Sequence, residues 1–67
     1  MSTLVQKITT LLKDAQSMPE AVQVLTSNYP QLSAKEAENT VQDVMDFANQ
    51  KMKASELDHW LKGRGIA

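Results

Sequence analysis

Two short stretches constrain this chain more than any others. Ser17-Met-Pro-Glu20 and Ser33-Ala-Lys-Glu36 each set a serine three residues ahead of a glutamate. A serine hydroxyl so placed accepts a hydrogen bond from a backbone N–H in the first turn that follows. The glutamate reaches back to the serine's own N–H, so two donors left open at a helix start are satisfied together. Pro19 falls in the first turn, where a missing N–H is tolerated. The pattern reads as punctuation: one helix starts after Ser17 and another after Ser33. A looser version, Ser55-Glu-Leu-Asp58, marks a further start.

The apolar spacing agrees. Leu4, Val5, Ile8, Leu11, Leu12 and Ala15 fall on one side of a helix, with Lys7, Thr9, Thr10, Lys13 and Asp14 outside that arc. Met18, Ala21, Val22 and Leu25 make the inner stripe of a second helix, which Pro30 ends by disfavouring helical geometry at Tyr29. Ala37, Val41, Val44, Met45, Ala48 and Met52 align on a third. Leu57, Trp60 and Leu61 form the inner side of a fourth, with Gly63 placed for a left-handed C-terminal cap. The predicted fold is all-α. It is a small compact bundle of four helices over about 3–16, 18–28, 34–53 and 56–62, two of them short. Residues 1–67 are expected to form a single domain, with 63–67 as a flexible tail.

Size and chemistry limit what such a bundle does. A core built from 67 residues contributes only about 3–5 kcal/mol of net stability. The chain has no cysteine, so neither a disulfide nor a thiolate site is available. The one histidine, His59, has Asp58 beside it, but neighbouring helix positions point about 100° apart, and both glycines lie near the C-terminus rather than in a phosphate-binding loop. No enzyme activity, metal or cofactor is expected. No apolar run approaches a membrane span, and the expected location is the cytoplasm.

Charge argues against nucleic acid. Residues 1–50 carry Lys7, Lys13 and Lys35 against Asp14, Glu20, Glu36, Glu38, Asp43 and Asp46, a net of −3; residues 51–67 carry Lys51, Lys53, Lys62 and Arg64 against Glu56 and Asp58, a net of +2. In a helix-turn-helix arrangement the third helix would present Glu36 and Glu38 to the phosphates, which repel them.

The remaining candidates for function are residues that leave the core stripes. Phe47 lies about 110° from the centre of the third helix's inner face, and Val24 stands off the stripe of the second; either another helix or the tail through Ile66 covers them, or they belong to a partner surface. Asp43 and Asp46 belong to an acid and amide face, and Trp60 serves either as a core anchor or at an interface. Val24, Phe47, Asp43, Asp46 and Trp60 are therefore the candidate partner-binding residues. The expected function is that of a small non-catalytic interaction domain: an adaptor, inhibitor or regulator that binds another protein, or a second copy of itself. The alternative is a DNA-associated transcriptional regulator or a modulator of a nucleoid protein.

Two stretches resemble known families and depart from them at defining positions. Asn28-Tyr-Pro-Gln-Leu-Ser33 is similar to the Met-Phe-Pro loop of ubiquitin-binding CUE domains, but differs at the two residues before the proline. Residues 15–36, AQSMPEAVQVLTSNYPQLSAKE, loosely resemble the Hha/YmoA modulators of nucleoid-associated proteins. Residues 42–52, QDVMDFANQKM, stand where that family carries Ala-Ala-Asp-His-Arg. Neither family is assigned on these residues.

Overall fold

The serine boxes and the apolar stripes together produce four helices. In a computed structural model that describes residues 3–66, α1 spans Thr3–Leu12, α2 Met18–Asn28, α3 Ala34–Ala48 and α4 Ala54–Gly63. The described residues contain no strand. The expected all-α bundle is what forms. None of its helices is long and apolar enough to cross a membrane, among the described residues. Residues 1–2 and 67, which the expected single domain and its tail included, lie outside those described.

Both serines cap, and one of the two full boxes closes. Ser33 Oγ accepts from Glu36 N–H at 3.1 Å, and Ser33 N–H donates to Glu36 Oε1 at 3.0 Å. Ser17 Oγ accepts from Glu20 N–H at 3.3 Å, but the Glu20 carboxylate takes the N–H of Gln16, one residue further back than expected. The looser box is not used. The cap position of α4 is Lys53, which makes no side-chain cap, and Ser55 lies inside the first turn. Starting at Ala54 puts Ala54, Leu57 and Leu61 on one face, the first half-buried and the other two buried. The start at Ala54 keeps Leu57 and Leu61 buried without a hydroxyl cap, which is worth about 1 kcal/mol.

The helix ends differ from the expected ones for a common reason: the chain must reverse so that each apolar face meets the others. α1 stops at Leu12 rather than residue 16. Residues 13–17 form a turn that keeps Ala15 half-buried against the core. α3 stops at Ala48 rather than residue 53. Gln50 N–H bonds to Phe47 O at 3.1 Å and Lys51 N–H to Asp46 O at 2.7 Å, with Gln50 at φ 62°. This is the Schellman pattern with glutamine in the left-handed position, an arrangement that costs about 1–2 kcal/mol in a residue with a Cβ. It swings the chain so that Met52 reaches the core from the connection and α4 returns along α1 and α3.

The expected flexible tail is instead docked. Gly65 at φ 78° forms the left-handed cap that the sequence suggested for Gly63. Gly65 N–H donates to Lys62 O at 3.1 Å and Ile66 N–H to Leu61 O at 3.0 Å. The apolar residue after the cap decides which glycine is used, because Ile66 can then fold back towards Leu61, and both are fully buried. Gln31 Nε2 donates to Gly65 O at 3.1 Å, fastening this end to the α2–α3 loop.

The core takes residues from every helix: Val5 and Ile8 of α1, Ala21 and Leu25 of α2, Ala37, Val41 and Val44 of α3, and Leu57 and Leu61 of α4. Leu32, from the α2–α3 loop, joins them with Ile66. α1 and α3 each touch all the other helices, whereas α2 and α4 do not touch one another. The bundle is thus a central α1–α3 pair flanked by α2 and α4.

Candidate functional site

The early end of α1 has a consequence on the surface. The last two turns of α3 are walled by the 13–17 linker and the start of α2, and this leaves an open apolar groove of about 420 Å³. Leu12, Met18 and Ala21 form one side, and Val41, Val44 and Met45 the other. Val41 and Val44 are nearly closed off, while Met45 stands 46% exposed at the edge. The sequence placed Met45 on the inner stripe of α3; it lies at the groove because no further turn of α1 covers it.

The groove's polar side chains are Thr9, Lys13, Gln16 and Ser17, and its two hydroxyls serve the backbone. Thr9 Oγ1 donates to Val5 O at 2.7 Å, and Ser17 Oγ receives the Glu20 N–H. Among the described residues that line it, Lys13 alone carries a charge, and it is exposed. Chemically the groove offers contact area for apolar groups, with one cation at its rim. Its two hydroxyls are already engaged in helix geometry.

A second cluster joins α3 to the C-terminal segment. Arg64 Nη1 donates to Thr40 Oγ1 at 2.9 Å and lies 2.9 Å from Asp43 Oδ2. Thr40 is fully buried and donates to Glu36 O at 2.8 Å, so its hydroxyl is satisfied on both sides. The Arg64 guanidinium sits 5.9 Å from the centroid of the Trp60 ring, within cation–π range, and His59 meets the same ring edge-on at 5.7 Å. This cluster clamps the end of α4 onto α3.

The five candidate residues fall into different settings. Asp43 is drawn into the Arg64 pair and is partly covered. Phe47, one turn further along α3, is half-buried and packs against the core. The stripe Thr40–Asp43–Phe47 is therefore the face α3 turns towards α4, and Phe47 takes the covered one of its two expected settings. Asp46 is half-buried, and its carbonyl receives Lys51 N–H. Val24 is half-buried on α2, away from α4. Trp60, expected on the inner side of α4, is 46% exposed. Asp43 and Trp60 meet through Arg64, and the other three are not gathered with them. Residue spacing missed the groove because its position depends on where α1 ends.

Of the four cations between residues 51 and 67, Arg64 pairs with Asp43, and Lys62 Nζ lies 3.0 Å from Asp58 Oδ2. Lys51 and Lys53 are exposed at the α3–α4 corner. Comparison of the chain with protein-family models, with curated proteins and with solved structures finds no match.

Proposed function

We propose that this chain is a small non-catalytic interaction domain that binds another protein through the groove between α1, α2 and α3. The occupant is an apolar segment of the partner, with an acidic residue beside its apolar anchors. The observation that carries this reading is the groove itself: an open apolar cleft with a half-exposed methionine at its edge and a single rim charge, Lys13. Apolar anchors seated in such a cleft supply most of the energy of small interfaces, and a rim cation favours an acid on the incoming chain. The engagement of the Thr9 and Ser17 hydroxyls with backbone supports a binding role over a chemical one. The alternative role at DNA draws less support, because Arg64 and Lys62 are paired with acids of the same domain.

The test is affinity capture from source cells at low micromolar concentration, with the chain and its Met45→Glu variant side by side, followed by calorimetry with the purified partner. The partner is expected to bind the variant at least about tenfold more weakly. Equal binding to both proteins would remove the groove from the account. Duplex DNA binding with a steep salt slope, lost on changing Lys51 and Lys53, would replace this reading with the DNA-associated one.

A further inference from the structure

We infer that the groove also takes a second copy of this chain, with Trp60 of one molecule entering the groove of the next. The inference rests on the reading of the groove as a docking site and names one occupant for it. Met45 and Trp60 are the two large hydrophobic side chains left exposed among the described residues, each at 46%. Met45 borders the cleft, and Trp60, which carries Arg64 over its ring and His59 at its edge, keeps nearly half its surface open. The cleft, at about 420 Å³, falls in the range that accommodates drug-sized groups and so admits an indole. No described residue of α4 lines it, so the bundle as folded does not seat its own Trp60 there.

Charge matches across the contact. Glu56 precedes Trp60 by one helical turn, and both are exposed. An indole entering the groove next to Lys13 brings a carboxylate towards the groove's one lining cation. Knob and hole are different surfaces of the same molecule, so two reciprocal contacts close a two-fold pair, and a single contact leaves a free groove and a free indole that add further copies. One buried indole and its surroundings supply far less than the roughly 1,200 Å² of a stable interface. Association is therefore weak: visible at hundreds of micromolar and absent at about 1 µM, where partner binding is measured.

Sedimentation equilibrium over that concentration range, with the fold of each variant checked by circular dichroism, tests the inference. The average mass of the wild-type chain should climb well past that of a monomer. Trp60→Ala and Met45→Glu should each weaken association about thirtyfold, the loss typical of a central anchor. Mixing the two variants should restore a one-to-one pair, because one keeps the groove and the other keeps the indole. Lys13→Glu should weaken association, and adding Glu56→Lys to it should restore it; this pair carries the groove arm if Met45→Glu fails to fold. Trp60 is the chain's one tryptophan, so its emission should shift to the blue with concentration in the wild type and not in Met45→Glu. A wild type that stays monomeric at about 1 mM, or a mixture that stays monomeric, would each overturn the inference. A monomer that still binds a partner through Met45 would overturn this inference and leave the proposed function standing.

Discussion

Ile66→Ala should destabilise this domain more than its place next to the C-terminus suggests. Ile66 is fully buried and belongs to the same core cluster as Leu57, Leu61 and Ile8. Truncating a fully buried isoleucine costs about 2–5 kcal/mol, the transfer energy of the lost carbons plus that of the cavity they leave. The variant keeps its backbone N–H, so the bond to Leu61 O survives and the loss reports the side chain alone. A core of this size offers about 3–5 kcal/mol in total. A loss of about 3 kcal/mol would leave on the order of 1 kcal/mol, with about 15% of molecules unfolded at 25 °C. Thermal melts followed by circular dichroism should show Tm falling by about 12–24 °C. Lys62→Ala serves as the control: it breaks the pair with Asp58, but the lysine side chain is 68% exposed, so the change should stay within about 0.5 kcal/mol. A fall in Tm of less than about 3 °C for Ile66→Ala would mean that the Ile66 side chain does not dock in the core in solution.

Two more predictions follow from the helix ends. Gln50→Gly should raise stability by about 0.5–1 kcal/mol in urea titrations, because glycine adopts φ 62° without Cβ strain and loses only part of that gain to chain entropy; a destabilised variant would show that the α3 end is not left-handed. Ser33→Ala should cost about 0.5–2 kcal/mol by the same measurement and Ser55→Ala less than about 0.5, since only the first serine caps a helix; equal losses would contradict the assigned start of α4.

Residues close in sequence settled the local features. Ser33 and Glu36 lie within one turn of each other, so their box forms whatever packs around it. The stripe Ala37, Val41 and Val44 marked the buried side of α3, because helical period and burial coincide when one face dominates. Packing between distant segments settled the rest. Ser55 lost its place as a cap because α4 already starts at Ala54, and the left-handed position fell to Gly65 and not Gly63, with Ile66 packed into the core beyond it. Phe47 stood off the stripe in a one-faced reading, whereas α3 in fact contacts neighbours on more than one side. The groove beside Met45 exists because α1 ends at Leu12 and the 13–17 linker forms a wall beside the last turns of α3 without covering them. That stopping point is set by the reversal the chain needs in order to bring α2 onto α3, a requirement no short window of residues encodes.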